Sequence, residues 1–298
     1  MSIVRVLVPT AVIASATLVM VGMSQQNNGL LLRSECPETV TVPFTQGKHP
    51  GPLIEVEIGG KKRRMMMDTG AGASVVQQSL VDELGLRPFM ETTARDPGGK
   101  NSMKVALYRI PEIKIGTATF YGATCFVQPA ATRSQVADDT IADGVLSFTV
   151  FQNQLLVVDY PNKTISIGPG SLPQGAAKYT LRSNTPVVDV DLSGVKVPCQ
   201  IDTGAQGGLM VPLPLKSKLP LTGEPRRAGQ TRTLFNSMDV WEADLKGSVE
   251  VCGVQIQVPT VEMHEGFPIG NIGGKLLQNF VLTVDQKNQR IQLVPRKE

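Results

Sequence analysis

Hydrophobic and polar residues alternate in two stretches of the chain that match each other without a gap. LIEVEIGGKKRRMMMDTGA begins at Leu53 and VVDVDLSGVKVPCQIDTGA begins at Val187, a shift of 187 − 53 = 134 residues. The apolar positions are Ile54, Val56 and Ile58 in the first stretch and Val188, Val190 and Leu192 in the second. Because this alternation has a period of two, it predicts a half-buried β-strand in each copy.

A tight turn and a second strand follow in both copies. Gly59-Gly60 and Ser193-Gly194 supply the positive φ angles that a two-residue hairpin turn needs. The second strand then ends at an Asp-Thr-Gly-Ala sequence, which begins at Asp68 in the first copy and at Asp202 in the second. The pattern therefore predicts two hairpins, each of which delivers an aspartate at its end.

The residues before each aspartate indicate a buried strand face. Met65 and Met67 fall on the face that Cys199 and Ile201 occupy in the second copy. Methionine is a flexible apolar side chain that fills irregular gaps in a core. We therefore interpret the methionines as core residues rather than as a metal or cofactor site.

The ends of the two copies also match. The 23 residues from Val145 align with those from Asn271, at a shift of 271 − 145 = 126. Each predicts a short helical turn, an apolar strand that ends at Asp159 or Asp285, a polar turn and a final strand. The chain therefore divides into two β-rich lobes, at residues 51–168 and 178–298, with a Gly- and Pro-rich linker over residues 169–177.

The N-terminal segment has a different character. Residues 6–23 carry no charge and are long enough to cross a bilayer as a helix, although Pro9 lies near the start. The competing interpretation is a secretory signal peptide, for which Ala14-Ser15-Ala16 is a candidate cleavage site. Residues 1–23 are thus predicted to be a membrane anchor or signal peptide, and residues 24–50 a stalk or pro-segment. Either interpretation places the body outside the cytoplasm, in the periplasm or the extracellular space.

Composition and charge exclude several classes of function. Hydrophobic residues make up 41% and charged residues 18%, as in a folded globular protein, and the net charge of +3 provides no field to hold nucleic acid. The four cysteines have no metal-binding spacing, and their pairing cannot be assigned from the sequence. No HExxH or GxSxG motif occurs, so neither a metalloprotease nor a serine hydrolase is indicated, and we expect no metal and no cofactor.

Two equivalent Asp-Thr-Gly loops can together perform acid–base chemistry. Packing of the lobes about a pseudo-twofold axis would bring Asp68 and Asp202 face to face. Two adjacent carboxyls share a proton, so one can accept a proton from water while the other donates to a substrate carbonyl. The alternative is that each Asp-Thr-Gly is an ordinary turn at the end of a strand, since all three residue types favour turns. Two copies at matched positions favour the paired site.

The duplicated Asp-Thr-Gly-Ala hairpins, the later apolar-Gly turn and the closing strands resemble the aspartic proteases of the pepsin and retropepsin type. The resemblance covers nearly all of residues 50–298 and implies an all-β, bilobal fold with a cleft between two retropepsin-like lobes. It also implies that Asp68 and Asp202 are the catalytic pair. The supporting loop residues that it implies are Thr69, Gly70, Ala71, Thr203, Gly204 and Ala205.

The resemblance further implies β-hairpin flaps over the cleft. The flap candidates are Pro97, Gly98 and Gly99 in the first lobe and Gly229 in the second, with ordinary surface loops as the alternative. Neither candidate carries the tyrosine that a pepsin-type flap presents. The alanine after both Asp-Thr-Gly triplets removes one hydroxyl donor to the carboxylates, which suggests a less acidic optimum than that of pepsin.

Two further departures from the family pattern occur in the lobes. The apolar-Gly turn is Ile272-Gly273 in the second lobe but Leu146-Ser147 in the first. The segment after Ala71 predicts a helix that ends near Gly85, whereas prolines at 212 and 214 predict a shortened or missing helix in the second lobe.

These observations predict a monomeric aspartic endopeptidase that hydrolyses an extended peptide or protein substrate. The alternative is a catalytically inactive, membrane-tethered peptide-binding module of the same fold. A third possibility is that each lobe pairs with its own kind in another molecule.

Overall fold

Strands make up most of the described structure and lie in three sheets. The computed structural model describes residues 12–13, 19–20, 32–47, 49–95, 102–128, 143–232 and 237–296. One sheet is formed mainly by the first lobe, one mainly by the second, and the third contains strands of both lobes. The all-β, bilobal fold predicted from the sequence is therefore confirmed.

The first-lobe sheet has nine strands within the described residues. They are β2 (Val19–Met20), β3 (Arg33–Glu35), β5 (Leu53–Ile58), β6 (Lys61–Asp68), β7 (Ser74–Val76), β8 (Met90–Arg95), β9 (Ser102–Ile115), β10 (Ala118–Val127) and β11 (Gly144–Ser147). Strand β11 runs parallel to β6, and β7 runs parallel to β10, so that the strand carrying Asp68 lies inside the sheet.

The second-lobe sheet has eleven strands in the part of the chain that the structure describes, and it repeats this arrangement. They are β1 (Val12–Ile13), β15 (Thr180–Arg182), β16 (Thr185–Leu192), β17 (Val195–Ile201), β18 (Leu209–Pro212), β19 (Leu221–Arg232), β20 (Ser237–Leu245), β21 (Val249–Val251), β22 (Val254–Ile256), β23 (Thr260–His264) and β24 (Gly270–Ile272). Strand β24 runs parallel to β17 and β18 runs parallel to β23, which reproduces the two parallel pairs of the first lobe.

The third sheet joins the two lobes. Its strands are β4 (Val40–Pro43), β12 (Leu155–Asp159), β13 (Thr164–Gly168), β14 (Ala177–Lys178), β25 (Phe280–Asp285) and β26 (Arg290–Pro295). Strand β12 pairs antiparallel with β25, its own repeat, and Val157 faces Thr283, where 283 − 157 = 126 is the shift of the repeat. Because a residue pairs with its own counterpart, a pseudo-twofold axis passes through this point.

The predicted hairpins form as the alternation indicates. Strand β5 pairs antiparallel with β6, and β16 with β17. Both turns use positive φ angles, +63° and +70° at Gly59-Gly60 and +54° and +93° at Ser193-Gly194. Met65 and Met67 are fully buried, so the prediction that they fill the core is confirmed.

The helices are short and differ between the lobes. Helix α1 (Gln78–Glu83) is followed by Gly85 with φ +61°, as predicted. The corresponding part of the second lobe is a 3-10 helix, Leu213–Ser217, which confirms the prediction that the prolines prevent a full helix there. The helical turns before the closing strands are a 3-10 helix, Phe148–Phe151, and helix α2 (Gly274–Leu277).

The predicted apolar segment 6–23 lies outside the described residues except for β1 and β2. Strand β1 pairs with β19 of the second lobe and β2 with β8 of the first. No helix among the described residues is long and apolar enough to cross a bilayer.

Candidate active site

Each Asp-Thr-Gly loop is held by two parallel strands. Strand β6 ends at Asp68, which is in register with Ser147 of β11. Strand β17 ends at Ile201, and the amide of Asp202 donates a hydrogen bond to the carbonyl of Ile272 in β24 (2.9 Å). Both aspartates are completely buried. The local strand pattern therefore places both carboxyls at the junction of the lobes.

The threonines of the two loops bind each other reciprocally. The amide of Thr69 donates to Oγ1 of Thr203 and the amide of Thr203 donates to Oγ1 of Thr69, both at 3.0 Å. Oγ1 of Thr69 then donates to the carbonyl of Ile201 (2.7 Å), and Oγ1 of Thr203 donates to that of Met67 (2.8 Å). Because all four hydrogen bonds cross between the lobes and are buried, they fix the position of one loop relative to the other.

The loop glycines allow the carboxyls to approach. A Cβ atom on Gly70 would lie 2.6 Å from Oδ2 of Asp202, and one on Gly204 would lie 2.6 Å from Oδ1 of Asp68. No side chain fits at such distances, so each carboxyl packs against the glycine of the other loop. The amides of Gly70 and Gly204 also donate to Oδ1 of their own aspartate, at 2.7 and 3.0 Å. The structure thus brings Asp68 and Asp202 together, with Thr69, Gly70, Thr203 and Gly204 around them.

The alanines of the loops anchor the turns behind them. The carbonyl of Ala71 accepts the amide of Phe148 (3.1 Å), and the carbonyl of Ala205 accepts the amide of Gly274 (2.8 Å). These bonds connect each loop to the helical turn of its own lobe. Ala71 is buried and makes no side-chain hydrogen bond, as its methyl group requires.

Ser147 is accommodated behind Asp68. Its amide donates to Oγ of Ser74 (3.1 Å), and its hydroxyl pairs with that of Thr149 (2.8 Å). The side chain is completely buried, and its polar atoms are satisfied. The departure from the apolar-Gly pattern therefore does not disturb the strand that carries Asp68.

Burial controls the ionisation of the pair. Burial raises the pKa of Asp68 well above its usual range, and the charge of Asp202 raises it further. The amides of Gly70 and Ala71 oppose this rise only in part. Asp68 therefore retains a proton at a pH at which an exposed aspartate is ionised. Its Oδ2 atom is buried and makes no hydrogen bond of good geometry to the described residues.

Asn271 is a site residue that the sequence reasoning missed. Its Nδ2 atom donates to Oδ2 of Asp202 at 2.7 Å. The counterpart of Asn271 in the repeat is Val145, which has no polar group in its side chain. A polar residue opposite an apolar one in the aligned strands is the signal that could have revealed it.

Gln200 makes a second polar contact that lacks a counterpart. Its Nε2 atom donates to the carbonyl of Gly70 in the other lobe (2.9 Å). The equivalent residue in the first lobe is Met66, since 200 − 66 = 134. The second lobe therefore supplies polar side chains to the site where the first supplies apolar ones.

Part of the first lobe matches a known protein family. Residues 54–150, which contain most of β5 together with Asp68 and β11, match the family described as aspartyl protease. The first lobe belongs to the aspartyl protease family. No curated protein matches the chain. A protease-type function is thus indicated for the chain, and the alternative of a catalytically inactive peptide-binding module is not favoured.

Gly229 is the one flap candidate that lies among the described residues. Pro97, Gly98 and Gly99 lie outside the described residues, between β8 and β9, which pair antiparallel. Gly229 lies within β19 rather than at a turn, at a register shift against β20 and with φ +153°. The candidate EPRRAGQ is thus an arm of the β19–β20 hairpin.

The sheet faces next to the aspartates differ between the lobes. Residues in register across adjacent strands share a face, and in the first lobe this face is apolar. Its members are Met66, Val145, Val75, Phe126 and Leu107. The equivalent row of the second lobe consists of Gln200, Asn271, Met210, Glu262 and Glu242. Because Asn271 points to Asp202, the second-lobe row lies on the side of the carboxyl pair. The first-lobe row occupies the equivalent positions and is buried.

The cysteines and histidines show no metal site among the described residues. All four cysteines are free thiols, and burial raises the pKa of Cys125 and Cys252 to about 12. His264 is fully buried, and burial lowers its pKa to about 4, so it is neutral at physiological pH. Cys199 is buried in the core, as the sequence pattern predicted.

Proposed function

We propose that the protein is an aspartic endopeptidase in which Asp68 and Asp202 activate a water molecule between them. The observation that carries the proposal is the packing of each carboxyl against the glycine of the other loop, with interlocked threonines holding the two loops. Two carboxyls that lie this close together share one proton, so that one of them can act as the acid while the other acts as the base.

The proposed reaction needs only the pair and water. Ionised Asp202 takes a proton from the water while the water oxygen bonds to the carbonyl carbon of the substrate. Protonated Asp68 donates its proton to the carbonyl oxygen, which gives a neutral gem-diol. Protonated Asp202 then donates its proton to the amide nitrogen while ionised Asp68 takes a proton from a gem-diol hydroxyl. The C–N bond breaks, and the carboxylic acid and amine products leave with the pair in its starting protonation state.

An extended peptide is the proposed substrate. The outer strands of the β8–β9 and β19–β20 hairpins already pair with the short strands β2 and β1, which supports the addition of an extended backbone to these edges. The difference between the apolar row of the first lobe and the polar row of the second leads us to propose unlike side-chain preferences on the two sides of the cleaved bond.

The chain is proposed to act as a monomer with lobes at residues 51–168 and 178–298. Support comes from the antiparallel pairing of β12 with β25, through which each lobe forms strand hydrogen bonds with the other lobe of the same chain. Residues 6–23 are proposed to export or anchor the body outside the cytoplasm. Fractionation of cells that express the tagged full chain tests this placement, and a cytosolic body would contradict it.

Digestion of a peptide library by the full chain tests the proposed activity. We expect cleavage between pH 3 and 8 that pepstatin inhibits and that Asp68→Asn and Asp202→Asn each abolish. Asp82→Asn, at an exposed position in α1, is the matched control and is expected to retain activity. Full activity of either site variant would overturn the paired mechanism. Peptide binding without cleavage at any pH would instead support the inactive binding module.

A further inference from the structure

The two aspartates share one type of backbone contact but differ in their side-chain contacts. Each Oδ1 atom accepts the amide of the glycine two residues later in its own loop. Among the described residues, only Asp202 also accepts a hydrogen bond from a side-chain amide, which is Nδ2 of Asn271 (2.7 Å). Oδ2 of Asp68 has no such donor among them. A pair that the duplication makes nearly symmetric is therefore polarised by one side chain.

The position of Asn271 in the sheet explains how it reaches Asp202. Strand β24 lies between β17 and β18, with Asn271 in register with Gln200 and Met210. Asn271 is thus one strand away from the end of β17, beside the carboxyl that follows it. Val145 occupies the equivalent place between β6 and β7, in register with Met66 and Val75. The side chain of this valine has no hydrogen-bond donor.

A donor to a carboxylate stabilises its charged form. When two neighbouring carboxyls share a single negative charge, the charge resides on the one with more donors. Asp202 has a side-chain amide as a donor, whereas Asp68, apart from its contact with Asp202, has only the backbone amides of its own loop among the described residues. The same contact also holds the plane of the Asp202 carboxyl in one orientation.

We propose that Asn271 is a positioning residue that keeps the negative charge of the pair on Asp202 and the proton on Asp68. The inference rests on the proposed function, since it assigns the base of that reaction to Asp202 and the acid to Asp68. It adds the residue that makes this assignment, which the duplicated motif alone leaves undecided.

The other ionisable groups around the pair do not take over the role of Asn271 in distinguishing Asp202 from Asp68. Tyr160 lies close enough for both aspartates to act on it, and burial together with their charge raises its pKa. It is therefore neutral throughout the range in which the pair titrates. Along the sheet, uncharged Gln200 and Met210 flank Asn271, and the next acidic side chain is Glu262, beyond Met210, with Lys275 of α2 acting on it.

The test replaces Asn271 by the residue of the first lobe. In Asn271→Val, Asp202 loses its donor, so the lower apparent pKa of the pair rises. We expect the acid limb of the kcat/KM profile to move to higher pH by about one unit, which is about a tenfold loss below that limb. Asn279→Val is the matched control, because Asn279 is exposed and its amide donates to the carbonyl of Leu276 instead. Its profile should not move.

The reciprocal exchange sharpens the test. Asn271→Val combined with Val145→Asn moves the donor from Asp202 to Asp68, and we expect the acid limb to return towards that of the wild type. If kcat/KM of Asn271→Val falls by the same factor at every pH, the acid limb has not moved, and Asn271 has a purely structural role. That result would overturn the inference.

A second measurement does not depend on activity. Titration of 13C-labelled aspartate carboxyls by NMR, in the full chain and in Asn271→Val, reports the ionisation of the pair directly. We expect the lower of its two titration steps to rise by about one unit in the variant. An unchanged step would reject the role of Asn271 even if the protein cleaves peptides. A shifted step in a chain without peptidase activity would support that role while the proposed function fails.

Discussion

Thr69 and Thr203, 134 residues apart, each donate a backbone amide to the hydroxyl of the other at 3.0 Å. The same amide-to-hydroxyl hydrogen bond is thus formed once in each direction, as a pseudo-twofold axis requires. Neither Asp-Thr-Gly loop reaches its final geometry without the other, because the hydroxyl of each threonine also binds a carbonyl of the opposite lobe. The site is therefore a property of the joined lobes.

Thr69→Val is expected to weaken the junction of the lobes. The variant leaves the amide of Thr203 and the carbonyl of Ile201 buried without partners, at about 1–3 kcal/mol each. We expect the free energy of unfolding to fall by roughly 2–6 kcal/mol in urea titrations. Thr69→Ser keeps the hydroxyl and should lose much less. Thr41→Val, at an exposed hydroxyl pair, is the control, and an equal loss there would refute the explanation.

Gly70→Ala is expected to push the carboxyls apart. The new Cβ would lie 2.6 Å from Oδ2 of Asp202, so either the loop or the carboxyl must move. A displacement of about 1 Å at a catalytic group costs on the order of a hundredfold in rate, and we expect at least that loss in kcat/KM. Gly175→Ala, which meets no atom within 4 Å, should behave as the wild type. Unchanged activity in Gly70→Ala would show that the approach of the loops is not required.

Asp68→Asn is expected to change how stability depends on pH. Because the pKa of Asp68 is raised in the folded state, the folded protein binds more protons than the unfolded chain above the ordinary aspartate pKa of about 3.9. This group therefore makes the free energy of unfolding fall as pH rises from about 4 towards the raised pKa. The variant should remove that part of the fall.

Urea titrations at several pH values between 4 and 8 measure this effect as a difference between the variant and the wild type. Asp82→Asn serves as the comparison, since Asp82 is exposed. A difference that is constant across this range would contradict the raised pKa of Asp68.

Side-chain selection is expected to differ across the cleaved bond. Cleavage of a peptide library should show a preference for apolar substrate residues on the side of the cleaved bond next to Val75 and Phe126. On the side next to Glu262, it should show a preference for polar substrate residues. Glu262→Leu makes the second-lobe row more apolar. Sequencing of the cleavage products should then show that the substrate preference on this side shifts towards apolar residues. Glu224→Leu, at an exposed ion pair, is the control. Equal apolar preferences in the wild type would contradict the assignment of the two faces.

Much of the fold follows from patterns that are local in the chain. The period-two alternation, the glycine turns at Gly59-Gly60 and the buried Met65 and Met67 all agree with the structure, because each depends on neighbours in the same hairpin. The helix that ends near Gly85 and the 3-10 helix at the second-lobe prolines follow for the same reason. Recognition of the repeat then placed Asp68 and Asp202 in equivalent positions.

The sequence by itself thus determined two similar lobes, each with an aspartate at the end of a buried strand. Only the tertiary structure decided what lies beside each carboxyl. The pairing of β12 with β25 sets the axis, and the contact of Asn271 with Asp202 joins residues 69 positions apart. Such contacts depend on which strands become neighbours in the sheet, and the periodicity of a strand specifies its buried face but not its partner. Duplication predicts a symmetric pair, and the fold places the donor that distinguishes its two members.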